Sequence, residues 1–455
     1  MPYQTINPYT DKLIKEYPQH DDKYVESALT TAHKLYKSDW AQGDISQRLN
    51  VLSKLSELFT QHEEELAKTI SQEMGKLIEQ SRGEVKICAA IAKYYADNAK
   101  TFLKPVKYPS SLGEAWVEHH PIGIIMAVEP WNFPFYQLMR VLAPNMAVGN
   151  SVMVKHASIV PHCAETFERM VSRAGAPKGA YTNLFISQDQ VASIIDDDRV
   201  SGVALTGSEQ AGSVVAAQAA KNLKKSTMEL GGNDVFVVLD DCDLDKAIKV
   251  GAQARLQNAG QVCTAAKRFI IHEKIADKFL AGFTKALESV KMGDPLDPST
   301  TLGPLSSKGA LQNLIKQVDK AVKNGAKATL GGKAVNQQGY FYPPTILTDI
   351  KRDNPAYFEE FFGPVAMVFV VKSDDEAISL ANDSHYGLGG AIFTGNIERG
   401  KKMASRIETG MVFINTLSGT APELPFGGVK RSGYGHELAD LGVKEFTNQK
   451  LVVVA

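Results

Sequence analysis

The sequence predicts an α/β protein built on a parallel sheet, and three observations predict it. From Pro121 onward, short apolar runs alternate with helical stretches at the spacing of βαβ units. One strand-like run ends in Leu205-Thr206-Gly207-Ser208 and passes directly into a small-residue helix, as happens at the carboxyl end of a parallel strand. The 455 residues, 44% hydrophobic and 22% charged, supply apolar mass for two ordinary domains or more.

The first hundred residues are mostly helical in pattern. Ile45, Leu49, Leu52, Leu55, Phe59, Leu66 and Ile70 recur at three- and four-residue spacing, with Lys, Glu and Gln opposite. A second helix is expected over 80–103, and 110–120 reads as extended. Strands are then expected at 122–128, 151–155, 183–186 and 202–205, with helices at 131–148, after Pro161, as a short segment after 186, and from Glu209. A strand-like run leads to Glu229 and two glycines, followed by a strand at 234–239 and a helix at 244–258. A second α/β series follows, with strands at 267–271, 366–371 and 391–394 and helices at 275–290 and 306–324. The tail, 444–454, ends in a strand-like Leu-Val-Val-Val that needs an edge to pair with.

A formal net charge of -1 gives no global field to recruit nucleic acid or an anionic membrane. No apolar run is long enough to span a bilayer, and the N-terminus has neither the basic start nor the apolar core of a secretory signal. Reduced cytoplasm is the expected location. Four cysteines make no disulfide framework, no two have zinc spacing, and no metal is expected.

Among the cysteines, Cys263 stands apart. It lies in Asn258-Ala259-Gly260-Gln261-Val262-Cys263-Thr264, among small and amide-bearing neighbours, with Lys267 and Arg268 shortly after. Cations and backbone N–H groups lower a thiol's pKa, so a nucleophile is one reading; a small buried hydrophobe is the other. Cys242 sits among aspartates, Cys88 in an alanine-rich helix and Cys163 at a helix start, and all three read as structural. Glu229 is either a general base at a flexible turn or a turn residue. The turn at Gly207 is either a phosphate cradle at a helix N-terminus or a tight connection.

Together, Pro130-Trp131-Asn132-Phe133-Pro134, Thr206-Gly207-Ser208, Glu229-Leu230-Gly231-Gly232, Gly260-Gln261-Val262-Cys263, Glu360-Phe361-Phe362-Gly363-Pro364 and Pro425-Phe426-Gly427-Gly428 resemble the aldehyde dehydrogenase superfamily, in its order and over essentially the whole chain. The chain is most similar to the compact bacterial succinate-semialdehyde dehydrogenases. The resemblance implies a Rossmann-type dinucleotide-binding domain (1–101 and 122–231), an α/β catalytic domain (232–433) and a β-strand oligomerisation arm (102–121 and 434–455). It further implies a homodimer or homotetramer in which the tail strand pairs with a neighbouring subunit.

The chemistry implied is oxidation of an aldehyde to an acid. Cys263 attacks the carbonyl, and Asn132 and the Cys263 N–H hold the oxyanion. Hydride leaves to the nicotinamide, and Glu229, expected unprotonated in a water-reached cavity, activates the water that hydrolyses the thioester. For the cofactor, Lys155 meets the adenosine ribose, Gly207 and Ser208 the pyrophosphate, and Glu360 the nicotinamide ribose, with Trp131, Leu230 and Phe362 packing nearby. Members that prefer NAD often carry a glutamate where this chain has Ser158, so NADP is expected to be accepted and preferred over NAD. Arg140, eight residues after Asn132 on one helix, is expected to grip a carboxylate at the substrate's far end, pointing to succinate semialdehyde. A surface or interdomain arginine is the plainer alternative for that residue. Tyr136, Gln257 and Thr420 complete the expected substrate pocket. Gln257 stands where the animal semialdehyde enzymes carry a second arginine, and Ala265 where they carry a second cysteine, so no disulfide switch is available. Glyceraldehyde 3-phosphate or betaine aldehyde as substrate, or a cofactor-free Cys/Glu thioester hydrolase, are the alternatives.

Overall fold

Three sheets organise the computed structural model, which describes residues 2–455. The first has six strands in the order Gly433–Tyr434, Lys225–Glu229, Val200–Thr206, Ile124–Glu129, Ser151–His156 and Tyr181–Asn183. All its pairings are parallel except that of Gly433–Tyr434 with Lys225–Glu229. The second has seven, in the order Lys327–Leu330, Thr345–Thr348, Val365–Val371, Arg268–His272, Val235–Val238, Gly390–Phe393 and Phe413–Ile414. Only its first pairing is antiparallel. Helices cover the faces of these sheets, so strands such as Val235–Val238 are buried along their whole length, as continuous apolar runs in parallel sheets require.

Most expected elements form within a residue or two of their expected ends. The amphipathic stretch from Ile45 breaks at His62 into Ser46–Gln61 and Glu63–Met74, and the next helix runs Ile78–Phe102. The strand expected at 183–186 is instead Tyr181–Asn183. Leu184 N–H still donates to Val154 O of the neighbouring strand at 2.8 Å, but pairing stops there: the Tyr3 hydroxyl donates to Ile186 O at 2.8 Å, and the chain enters the Ser187 capping box. Tyr3 belongs to an N-terminal hairpin, Tyr3–Asn7 with Lys12–Tyr17, which the helical reading of this region passes over.

The third sheet is antiparallel, with Thr447–Val454 against Glu114–Pro121 and the latter against Val106–Tyr108. The tail strand thus finds one edge within its own chain, and its outer edge stays free. Residues just before it do not join this sheet. The helix Ala439–Glu445 lies against Ile78–Phe102 and Pro134–Val148 instead. No helix is long and apolar enough to cross a membrane.

Candidate active site

Adjacent parallel strands of the first sheet end side by side. Thr206 is in register with Glu229, and Val128 with Leu205, so Glu129 falls one step on, beside Thr206. Both glutamates and the threonine are therefore delivered to the carboxyl edge of the sheet, where such sheets bind ligands. Glu129 and Glu229 are each 3% exposed, and no carboxylate oxygen of either has a hydrogen-bond partner. Beyond Thr206, Ser208 caps the helix Glu209–Lys221 by accepting from Ala211 N–H at 3.2 Å, and Gly207 N–H donates to Glu229 O. Leu230 packs on Gly212, where an added Cβ would come within 2.5 Å of it.

Asn132 lies between Glu129 and the helix Pro134–Val148. The first turn of that helix is held by Glu84, whose Oε1 accepts from Phe135 N–H at 2.8 Å and Tyr136 N–H at 3.1 Å. Glu84 is itself paired with fully buried Lys76. Asn132 Nδ2 donates to Gln261 O at 3.1 Å, and Asn258 Nδ2 donates to Asn132 O at 3.0 Å. These bonds stitch the Asn132 turn to the cysteine segment.

That segment is backbone-strained. Asn258 and Ala259 have φ of 50° and 52°, and Gly260 of 78°. At Gly260 a Cβ would stand 2.2 Å from Gly363 O, so only glycine fits. Strain of this kind persists where surrounding structure over-determines it, and here Gln261 and Asn258 are bonded on several sides. Cys263 is half-buried. Crowding by protein pushes its thiol up to about 11; Lys267 and Arg140 pull it down, and Glu360 and Asp234 push it further up. The expectation of a lowered pKa is corrected: two cations are present, but desolvation outweighs them.

Glu229 departs from expectation in the same way. It is not reached by water as expected, being 3% exposed. Burial, and then repulsion by Glu437, hold its pKa well above the ordinary carboxylate range, with Arg140 opposing. Glu129 is raised by burial, Glu437 and Glu229. One guanidinium thus faces three buried carboxyl groups; it is ion-paired with Glu437, and Glu129 and Glu229 are shifted towards their protonated forms. Arg140 is 1% exposed, so it is not a surface arginine. Nor is it unengaged: its Nε is ion-paired with Glu437, Nη2 donates to Thr206 Oγ1 at 3.0 Å, and Nη1 to Tyr136 Oη at 3.5 Å. Sequence reading missed Glu437, Glu129, Thr206, Lys76 and Glu84. Only Glu129 and Thr206 carry a local signal, as strand ends.

Cys263, Arg140, Tyr136, Gln257, Thr420 and Phe426 wall one cavity of about 370 Å³. Tyr136 Oη and Thr420 Oγ1 are hydrogen-bonded at 2.9 Å, although 284 residues separate them in the chain. Asn132 and Glu229 are not among the lining residues. Two further depressions share Lys155. One, of about 410 Å³, is bounded by Val128, Leu205 and Ser208, the other, of about 1000 Å³, by Trp131, Ser158, Gln317 and Phe362. Trp131 and Phe362 meet edge to face at 5.7 Å. Glu360 turns inward, pairing with Lys267 at 2.9 Å and accepting from Gly232 N–H at 3.2 Å. The groove fits a dinucleotide. It is long and cationic at Lys155, it has a helix N-terminus at Ser208, and its Gly207 turn leaves open backbone, with only Leu205 near an added Cβ.

The chain is 45% identical over 451 residues to "Succinate-semialdehyde dehydrogenase [NADP(+)]" of Deinococcus radiodurans, covering 99% of this chain and 94% of the relative. It is 42% identical over 455 residues to the "Probable succinate-semialdehyde dehydrogenase [NADP(+)]" of Synechocystis, covering all of both chains. The solved succinic semialdehyde dehydrogenase of Streptococcus pyogenes, crystallised with NADP+ as cofactor, superposes with a TM-score of 0.98 at 48% identity, covering 99% of each chain. The profile of the aldehyde dehydrogenase family matches residues 1–452, and with relatives this similar over this length the chain belongs to that family.

Proposed function

We propose that this protein oxidises succinate semialdehyde to succinate with NADP, NAD serving less well. One observation carries the reading: a single cavity brings Cys263 together with Arg140, Tyr136, Gln257 and Thr420. The names and NADP of the relatives support the same substrate and cofactor.

Cys263, once deprotonated, attacks the aldehyde carbon. The Asn132 amide and the Cys263 N–H donate to the oxygen as it becomes anionic; one Asn132 N–H is already used on Gln261 O, which aims the group. Lys155, Ser158 and Ser208 hold the dinucleotide in the groove, with Gly207 and Leu230 shaping its turn. Trp131 and Phe362 would flank it, and Glu360 would meet the nicotinamide ribose. NADP, when bound, supplies the acceptor for the aldehyde's hydride. Cys263 keeps the acyl group as a thioester until Glu229, ionised, draws a proton from the attacking water. Arg140 holds the substrate's far carboxylate while its Nε stays with Glu437.

The chain is read as a dinucleotide-binding domain of 1–101 and 122–231, a catalytic domain of 232–433 and an arm of 102–121 and 434–455. The three main sheets support this division for most of the chain, except that the strand Gly433–Tyr434 joins the first sheet and the helix Ala439–Glu445 lies on the first domain. The arm's free edge supports a homodimer or homotetramer. Four unpaired cysteines suit a cytoplasmic location.

The test is reduced-nicotinamide absorbance with purified protein and succinate semialdehyde. NADP should give a several-fold higher kcat/KM than NAD, and Arg140→Ala should raise KM for the semialdehyde far more than for an uncharged aldehyde. No absorbance change with either cofactor sinks the reading, and equal KM effects take Arg140 out of substrate recognition.

A further inference from the structure

Lys267 is a fully buried lysine that the mechanism above leaves without a part. Its backbone is pinned across the second sheet: its N–H donates to Asp234 O at 3.0 Å, and its carbonyl accepts from Met367 N–H at 2.9 Å. The side chain then has little freedom in where it ends. Its ammonium donates to Val262 O at 2.9 Å and to Cys263 O, and pairs with Glu360 at 2.9 Å. An ammonium has three N–H groups, and here each has an acceptor. Two of those acceptors are carbonyls of the cysteine segment itself. The third is the carboxylate assigned above to the nicotinamide ribose. A buried lysine with one carboxylate is costly to keep, and replacing such a pair by apolar groups is often neutral for stability, so its presence is not explained by folding alone.

Resting on the reading of Cys263 as nucleophile, we propose that Lys267 is the positioning residue of that nucleophile. Its ammonium clamps the Val262 and Cys263 carbonyls, which sets the peptide carrying the sulfur and the oxyanion-binding N–H. It also places a fixed positive charge against the thiolate, with Glu360 as the counter-charge that holds that effect in check. No proton passes through Lys267. The charged groups facing the sulfur are Lys267 and Arg140, which favour the thiolate, and Glu360 and Asp234, which oppose it. Arg140 is spent largely on Glu437, so Lys267 is the cation tied directly to the cysteine's own peptide.

The proposal predicts opposite effects from two neutralising variants in cofactor-free protein. The rate of Cys263 alkylation by iodoacetamide, followed by mass spectrometry of the Cys263 peptide across pH, reports the thiolate fraction. Lys267→Met should move the alkylation profile to higher pH, cutting the rate at pH 8 about tenfold or more, which is what a one-unit rise in pKa produces. Glu360→Gln should move it to lower pH and raise that rate. A merely structural role would not give opposite directions. With saturating cofactor and aldehyde, Lys267→Met should lower kcat with little change in the aldehyde KM, and Lys267→Arg should recover part of it. Should Lys267→Met fail to fold, Lys267→Gln, which keeps a donor but removes the charge, takes its place, and an alkylation profile unchanged there overturns the inference. An unchanged profile in Lys267→Met overturns it as well. Cys263→Ala separates the two ideas: turnover surviving it defeats the nucleophile reading, whereas lost turnover with unmoved alkylation profiles defeats only the role of Lys267.

Discussion

Arg140, Glu129, Glu229 and Glu437 are buried within reach of one another's charges, and the arithmetic of charge there governs the chemistry. A single cation faces three buried carboxyl groups, and burial and repulsion by Glu437 push Glu229 above the ordinary carboxylate range. A base whose pKa is raised is inactive below that pKa and gains activity as pH rises through it. Glu437→Gln removes a repulsion from Glu229 and frees Arg140 to favour its ionised form. The acid limb of kcat should then move to lower pH. A pH–rate profile of the variant beside the parent checks this, and a limb that moves upward would count against the electrostatic account. The same variant loosens Arg140 from its ion pair, so KM for succinate semialdehyde should fall or hold rather than rise.

At the scale of elements, two buried glutamates join pieces that are distant in sequence. Glu84 caps the helix Pro134–Val148 and neutralises Lys76. Glu84→Ala would orphan two first-turn N–H groups and leave a buried ammonium unpaired, a loss of about 3–5 kcal/mol. Denaturant unfolding should register that loss, and Lys76→Met in the same chain should restore part of it. Glu73 ties the hairpin strand Tyr3–Asn7 to the helix Pro161–Arg173, accepting from the Thr5 hydroxyl and from His162 and Cys163 N–H at 2.5–2.7 Å. Burial nevertheless raises its pKa from 4.5 to about 7. The folded state therefore binds this proton more tightly than the unfolded chain does. The stability this contributes is full below pH 4.5 and is lost as pH rises through 7. Measured against Glu73→Gln, which cannot titrate, the parent's unfolding free energy should decline by up to about 3 kcal/mol across that window.

For the whole molecule, the arm is the exposed apolar surface that most needs a partner. Leu451 is 60% exposed, Val454 54% and Tyr108 54%, on a sheet whose outer strand has one free edge. If the tail strand carries the proposed subunit contact, replacing Leu451 and Val453 by lysine should shift the protein towards monomer in sedimentation velocity, leaving the helix content of the chain intact. An unchanged sedimentation coefficient would place the subunit contact elsewhere.

What could be read directly was whatever has a local cause. Period-two and period-3.6 patterning set most strands and helices, because burial on one face acts on neighbouring residues. Tyr181–Asn183 eluded that reading because Leu184 and Ile186 are buried in a cluster with Leu29, Met126 and Val203, which no window around them contains. The short motifs marked Cys263, Glu229 and Asn132, since strained turns and glycine approaches need particular residues at particular places. By itself, then, the sequence determined the α/β class, the order of its elements and which side chains could do chemistry. Tertiary structure alone decided the direction in which their proton affinities shift. Glu437 stands far down the chain from Arg140 and Glu229, and Lys267 meets Glu360 only where two strands of one sheet lie side by side. Desolvation and Coulomb energy depend on separation in space, and separation along the chain does not report it.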